Sequence, residues 1–424
     1  MALVINTDTR EYSPTYNRMD VVVFQTDNAI RTKPDYKYRM KIYINDNKAA
    51  TTRVILTRQS PDPVNGLGVQ DVSAIVSNYI NEVLIPYDSN KGFALTEDGI
   101  VKYWIQYGEE YRLTAGDPIV AYDNLVTSSD KYAWGASLEH HRFIDFYNNT
   151  EYTDYIMDSN YVGQFLTNYK TPSVQITDLG WHWILTDDAV NLDYVQIKTY
   201  DINGVLIDTF QVANSTSPVT DQSRLLSLAT APQSLNNISG GVFLLGAQPV
   251  IIPTVARYTI QCFRNATTVI GEMLTFTIQE RCFYEVFRIH FENEYGAFDS
   301  YNFRLNSKRS AEAERKTYVS NKDVLSSIGL SYEHSTESKI NYYTKFSNSI
   351  SLKSDFITYE VNEWLKELAF TPKAFIEFTD NSGVNNFKPC LVKSTKWTEQ
   401  KDEVDKLFTF ELEVELSDNF KQRR

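Results

Sequence analysis

Short runs in which apolar and polar residues alternate recur along this chain, and this periodicity limits what it can fold into. In residues 36–44 every second residue is Tyr, Met or Ile, so the apolar side chains share one face of an extended strand. The runs 194–200 and 205–210 flank the Asn203-Gly204 dipeptide, a strong β-hairpin signal. Further strands are predicted at 100–112, 256–263, 273–278, 286–291 and 407–416.

Composition agrees with strands. The chain has 28 Tyr and 23 Phe against 17 Gly, and aromatic residues pack well on pleated, half-buried surfaces. Only two amphipathic helices are predicted. One lies near 71–80 with Asp71 as its cap, and the other lies near 357–368 with Val361, Trp364, Leu365 and Leu368 on one stripe.

The length of 424 residues exceeds what one hydrophobic core supports, so several domains are expected. The predicted fold class is mainly β, with serial β-sandwich domains of immunoglobulin-like or fibronectin-like type and a small C-terminal α+β domain. The predicted divisions are an N-terminal sandwich with one crossing helix (1–125), an irregular Tyr-, Asn- and Asp-rich connector (126–172), a second sandwich (173–283) and the α+β domain (284–424).

Charge and hydropathy exclude two classes of partner. The formal net charge of -13 opposes binding to a phosphate backbone, so nucleic acid is not an expected partner. The basic runs at 308–309 and 314–316 are interpreted as solvated loop. No window reaches the apolar length that spans a bilayer, and the N-terminus has no signal-peptide pattern, so a soluble protein without membrane insertion is expected.

Cysteine spacing predicts neither a metal site nor a disulfide framework. Cys262, Cys282 and Cys390 lie far apart, and buried free thiols are the simplest interpretation. His140 and His141 follow Glu139, but adjacent side chains point in different directions and do not converge on one ion.

No established catalytic or nucleotide-binding motif occurs, so we predict a protein that is not an enzyme and has no cofactor. Carboxylates are abundant, and a glycan hydrolase needs two of them across a cleft. The sequence alone pairs none of them, and a hydrolase is the weakest alternative.

Aromatic residues supply the only candidate binding site. Trp181 and Trp183 share one face of a predicted strand, and Tyr147 and Tyr152 lie in the predicted connector. Such rings suit a subunit interface or stacking against a sugar, while core packing is the plainer alternative for the two tryptophans.

Three segments resemble virion proteins of tailed phages and prophages of the Bacteroidetes. The most specific is Phe291–Phe303, FENEYGAFDSYNF, in which Gly296 is expected to allow a positive φ where the chain reverses. The others are Asp71–Tyr79, DVSAIVSNY, and Trp364–Leu368, WLKEL, with the basic C-terminus Gln422–Arg424.

The resemblance implies a structural component of the phage tail, its tip or baseplate, or a fibre adaptor. Its expected partners are other tail proteins and copies of itself in a ring or trimer, and its expected location is the virion, assembled in the bacterial cytoplasm. The alternative is a carbohydrate- or receptor-binding module at the tail tip that recognises a host-surface glycan.

Overall fold

The structure is a computed structural model, and the chain separates into two compact units. Unit 1 is 1–281 with 292–299, and unit 2 is 282–291 with 300–424. The described residues are 3–46, 51–81, 90–96, 98–148, 155–157, 163–186, 192–216, 224–264, 267–279, 284–305, 307–319, 324–326, 329–331, 339–379, 385–393 and 408–417.

Elements are numbered in chain order. The strands up to residue 281 are β1 (Leu3–Thr7), β2 (Tyr12–Pro14), β3 (Asp20–Gln25), β4 (Lys37–Asp46), β5 (Thr51–Gln59), β6 (Gly68–Asp71), β7 (Phe93–Leu95), β8 (Ile100–Tyr111), β9 (Val120–Thr127), β10 (Lys131–Trp134), β11 (Ser173–Val174), β12 (Trp181–Leu185), β13 (Tyr194–Tyr200), β14 (Leu206–Ala213), β15 (Leu225–Ala229), β16 (Phe243–Leu245), β17 (Arg257–Arg264) and β18 (Thr268–Ile278). The helices there are α1 (Asn28–Arg31), α2 (Ser73–Ser77), α3 (His140–Asn148) and α4 (Pro232–Asn236), with a 3-10 turn at Gly240–Val242.

The remaining strands are β19 (Phe287–Glu292), β20 (Phe298–Phe303), β21 (Lys308–Val319), β22 (Val324–Ser326), β23 (Gly329–Ser331), β24 (Lys339–Lys353), β25 (Ala374–Thr379), β26 (Asn385–Val392) and β27 (Glu411–Leu416), with helix α5 (Tyr359–Phe370). The mainly β fold class with several sheets is therefore confirmed. Among the described residues, no helix is both long and apolar enough to cross a membrane.

The N-terminal part of unit 1 packs two sheets and one helix around a common core. The larger sheet has the strand order β2-β10-β8-β4-β5, with β9 paired to β8, and the smaller has the order β1-β3-β6. One face of β4, with Tyr38, Met40, Ile42 and Ile44, is buried as predicted. Val21 of β3 and Val76 of α2 belong to the same hydrophobic cluster.

Asp71 fixes the start of the predicted helix. Its carboxylate accepts the backbone N–H of Ser73 at 2.9 Å and of Met19 at 3.0 Å. Burial alone raises the pKa of a carboxyl, but these hydrogen bonds outweigh it and hold the pKa of Asp71 below its ordinary value. Helix α2 has Val72 as its N-cap residue, without a side-chain capping bond, so the predicted cap position is wrong by one residue although Asp71 bonds the first N–H of the helix.

The other part of unit 1 contains a six-stranded sheet, β11-β18-β17-β13-β14-β16, and a three-stranded sheet, β12-β15-β7. The predicted hairpin is present, with Gly204 at φ 79° and Asp201 accepting the N–H groups of Asn203 and Val205. His182 of β12 packs edge-on against Phe276 of β18, with ring centroids 5.6 Å apart, so the two sheets are in contact.

Pairing within unit 1 crosses the divisions expected from sequence. Strand β7, inside predicted domain 1–125, pairs with β15, inside predicted domain 173–283. The expectation of an irregular connector at 126–172 is wrong for β10, which pairs with β8 and β2. The strand is only four residues long and all four are buried, so it shows no alternation of apolar and polar residues that would predict it. The full division into four parts stays a prediction.

Unit 2 contains a seven-stranded sheet in the order β20-β19-β25-β26-β27-β24-β21. Helix α5 has Trp364, Leu365 and Leu368 buried as its sequence predicts, whereas Val361 is only half-buried. Trp364 lies against Phe291 of β19 with ring centroids 5.5 Å apart. The predicted turn at 380–383 lies outside the described residues.

The described cysteines match their prediction. Cys262 and Cys390 are free and buried, and burial raises the pKa of each thiol to about 12. Neither is therefore a nucleophile near neutral pH. Cys282 lies outside the described residues.

The turn at 292–299 is the part of the resemblance with the densest contacts in unit 1. Asn293 accepts the N–H groups of Tyr295 and Ala297, and the Trp134 indole donates to the carbonyl of Tyr295 at 3.0 Å. Gly296 has φ 70°, which confirms its predicted role. A Cβ on Gly296 would lie 2.1 Å from the carbonyl oxygen of Gly135, so a side chain does not fit.

We expect Gly296→Ala to lower the free energy of unfolding of unit 1 by on the order of 3–4 kcal/mol, because it adds a backbone clash to the cost of a positive φ. Gly204→Ala is the matched control, since Gly204 has φ +79° with nothing within 4 Å of an added Cβ. It should cost about 1–2 kcal/mol. Urea denaturation followed by tryptophan fluorescence measures both, and equal losses would contradict this role of Gly296.

Candidate functional site

The tryptophan pair predicted to stack against a partner is buried. Trp181 is 4% exposed and Trp183 is 1% exposed, and Trp183 packs against Phe298 with centroids 6.1 Å apart. Neither ring presents a face to a ligand. The stacking prediction is wrong for both residues, because four of the five residues of β12 are buried and strand alternation alone does not reveal this.

Of the other two predicted site residues, Tyr147 alone lies in the described part of the chain. Tyr147 is half-buried on α3, where Phe143 lies beside it with centroids 5.9 Å apart and the Arg10 guanidinium lies 5.7 Å from its ring. Tyr152 lies outside the described residues.

His140 and His141 do not belong to a cluster of metal-binding side chains among the described residues. His140 and His141 are exposed at the start of α3, and the Nδ1 of His141 lies 3.6 Å from the carboxylate of Glu139. Across the described ranges no group of three or more His, Cys, Asp or Glu side chains is close enough to hold a metal ion.

A different aromatic surface is accessible in unit 1. It is the face of β4, β5 and β8 opposite the hydrophobic core, and we call it the open face. Strand register places its residues side by side, with Tyr43 opposite both Val54 and Trp104. None of its members is buried. They are Lys37, Arg39, Lys41, Tyr43, Val54, Leu56, Arg58, Lys102, Trp104 and Gln106.

Tyr43 and Trp104 form the centre of the open face. Their rings are stacked with centroids 5.1 Å apart and planes only 3° from parallel. The Tyr43 hydroxyl donates a hydrogen bond to the Gln106 side chain at 2.8 Å, which fixes one ring of the pair. Val54, 53% exposed, and Leu56, 38% exposed, extend the apolar area. The pair is a partly exposed aromatic surface held by ring stacking and one hydrogen bond.

The open face is basic on a chain that is acidic overall. Five cations occupy it, Lys37, Arg39, Lys41, Arg58 and Lys102. Arg58 pairs with Glu110 at 2.8 Å, and Lys102 pairs with Asp130 at 2.8 Å. More cations than carboxylates surround the aromatic pair, so the field at this surface favours an anionic partner.

A second accessible surface belongs to unit 2. Strands β21 and β24 form a long antiparallel hairpin, which we call the arm. Among the described residues, only Ser349–Lys353 at the base of β24 pair with a third strand, β27. The remaining ladder, from Ala311 opposite Asn348 to Val319 opposite Lys339, has two strands. At about 3.4 Å per residue this part of the arm is roughly 30 Å long.

Side chains of the arm are accessible to solvent along its length. Every residue of β21 is exposed, including Tyr318 and Val319. Tyr318 contacts Tyr342 of the opposite strand with centroids 6.0 Å apart, and Tyr342 is itself 51% exposed. A two-stranded hairpin is marginally stable in water without a packed face. An arm of this length therefore gains stability when another surface covers it.

Known proteins offer little guidance. No protein-family model and no curated protein matches the chain. Among solved structures, it is similar to E. coli alpha-2-macroglobulin with a TM-score of 0.19 and 7% identity over 85% of this chain and 22% of that chain. It is also similar to a variant of Salmonella alpha-2-macroglobulin, with a TM-score of 0.19 and 8% identity over 99% of this chain and 30% of that chain. The chain spans less than a third of either protein, and the function must be inferred from its own residues.

The sequence patterns of the open face and of the arm predict a binding surface less strongly than the pattern of Trp181 and Trp183 does. In 100–111, alternation places Trp104 with Lys102 and Gln106 on the polar side of the strand. Residues 308–319 contain many charged side chains, and their interpretation as a solvated loop is wrong, because they form a solvent-exposed strand. Lys and Glu are depleted in strands, so their presence favoured a loop.

Proposed function

We propose that the protein is a non-enzymatic structural component of a bacteriophage virion, in the tail, its tip or baseplate, or a fibre adaptor, and that it acts through protein–protein assembly. The observation that supports this most is the exposed two-stranded arm of unit 2. The resemblance of Phe291–Phe303 to phage virion proteins supports the same role.

The arm suits assembly because of its backbone as well as its side chains. An edge strand presents a row of N–H and C=O groups that a strand of another chain can pair with. Exposed aromatic residues near the distal end, Tyr318 and Tyr342, add area of the type enriched in protein interfaces. The proposed partners are copies of this chain and other tail proteins, in a symmetric assembly.

Removing the arm tests this function. Ser310 and Ser349 are opposite each other in the ladder, so an Asn-Gly turn can replace residues 311–348 while the seven-stranded sheet keeps its pairing. We expect the shortened protein to fold, with an unchanged tryptophan emission spectrum because all six tryptophans lie outside 311–348, and to lose incorporation into tails when phage particles are reconstituted with it. Normal incorporation of the shortened chain would contradict the proposal.

The open face favours a second function, recognition of an anionic glycan at the host surface. Aromatic rings stack against sugar rings, and the Tyr43–Trp104 pair offers such rings inside a frame of cations. A receptor-binding role is compatible with a place at the tail tip.

Binding to acidic and neutral polysaccharides separates this candidate from assembly alone. We expect Trp104→Ala to weaken binding of an acidic polysaccharide about tenfold, as loss of one stacking contact does, and Lys41→Ala to reduce its salt dependence. Phe356→Ala is the matched control, because Phe356 is 72% exposed and lies in unit 2. Equal affinity of all three variants and the wild type, by titration calorimetry, would rule the site out.

A further inference from the structure

Strand β21 is an edge strand with one side unpaired in the described part of the chain. It is the last strand of the seven-stranded sheet and pairs only with β24. In an antiparallel pair, alternate residues direct their N–H and C=O groups away from the partner strand. The outward-facing groups of β21 are therefore available to a further strand.

Charged residues oppose pairing along the outer edge of β21 unless their order matches that of the neighbouring strand. Near the start of the strand, Arg309 forms an ion pair with Glu285 at 2.6 Å. Proline, which protects many edge strands, is absent between Lys308 and Val319. The register is regular from Lys308 to Lys316 and shifts between Lys316 and Thr317. Charges are frequent in this regular part, and their order determines which strand can lie beside it.

The charges follow a plus, minus, plus order, with Lys308 and Arg309 first, Glu312 and Glu314 next, and Arg315 and Lys316 last. Two copies related by a twofold axis perpendicular to the sheet pair antiparallel, and residues equally far from the axis lie opposite each other on the same face. The position of the axis along β21 therefore determines which charged residues of the two copies lie opposite each other.

Most positions of the axis oppose like charges. An axis at Ala313 places Glu312 opposite Glu314, and one at Glu312 places Lys308 opposite Lys316. An axis at Glu314, Arg315 or Lys316 places that residue opposite its own copy. Like charges directly opposite each other destabilise a sheet.

An axis at Ala311 is different. It places Lys308 of each copy opposite Glu314 of the other, Ser310 opposite Glu312 and Arg309 opposite Ala313, with no like charges opposed over residues 308–314. An axis at Ser310 also opposes unlike charges, but it pairs only residues 308–312. Glu314 already lies opposite Lys345 within its own arm, so the pairing would place this carboxylate between two lysines.

We infer that the occupant of this edge is a second copy of the chain, whose β21 pairs antiparallel about Ala311 so that the two seven-stranded sheets become continuous. This inference rests on the proposed assembly function and names its contact. The self-complementary order of charge on β21 favours a copy of the same strand over an unrelated protein.

Charge reversal tests the register. Lys308→Glu is expected to weaken dimer formation at least tenfold, and so is Glu314→Lys made together with Lys345→Glu, which keeps the pair within the arm. The variant with all three changes is expected to return to within about threefold of the wild type, because the pair across the axis is restored with its charges exchanged. Lys339→Glu is the matched control on the same arm, because Lys339 lies opposite Val319 and outside residues 308–314, and its dimer constant should not change. Light scattering across a concentration series gives the constants for the full-length protein.

Two results would overturn the pairing. A wild-type chain that stays monomeric at every concentration would do so, and so would a variant with all three changes that shows the summed loss of the other two variants. Either result leaves the assembly function to its own test, since the shortened arm is measured by incorporation into tails and not by self-association.

Discussion

The need of every backbone N–H and C=O group for a hydrogen-bond partner governs this structure. Strands satisfy it only where a neighbour lies on both sides, and the central strands β8 of unit 1 and β25 of unit 2 have such neighbours. In the described part of the chain, strand β21 has a neighbour on one side, and no third strand pairs with the arm beyond Ala311. In an assembly, a strand of another chain would supply hydrogen-bond partners for the outward-facing backbone groups of the arm.

The two accessible surfaces differ in physical character. The open face presents side chains from strands whose backbones are paired within the sheet, so it suits recognition of a ligand by stacking and charge. The arm presents backbone as well as side chains, so it suits pairing with another strand. Under the proposed function, the arm is the candidate for assembly and the open face is the candidate for binding a host glycan.

Much of the fold follows from local patterns. Alternation predicted the buried face of β4, Asn203-Gly204 predicted the hairpin of β13 and β14, and spacing predicted α5. Gly296 was predicted to need a positive φ, although the approach of Gly135 is a tertiary contact that no local pattern contains. The pairing of β7 with β15 joins residues far apart in sequence, and local patterns give no register for such pairs.

The candidate sites were predicted less well, because accessibility depends on what covers each face. Trp181 and Trp183 alternate as a stacking pair would, yet neighbouring elements bury them. Trp104 belongs to a run with similar alternation and stays accessible. Strand β21 was not predicted, because its charged residues are rare in strands. It forms a strand through twelve residue pairs with β24, which are tertiary contacts that its own sequence does not specify.

Hydrogen–deuterium exchange at the backbone of residues 308–314 tests most directly whether the edge of β21 is an assembly contact. If two copies pair there, exchange at the outward-facing amides should slow as the protein concentration rises, while amides of the exposed helix residues in α3 keep a constant rate. Exchange rates at residues 308–314 that are the same at every concentration would contradict the account.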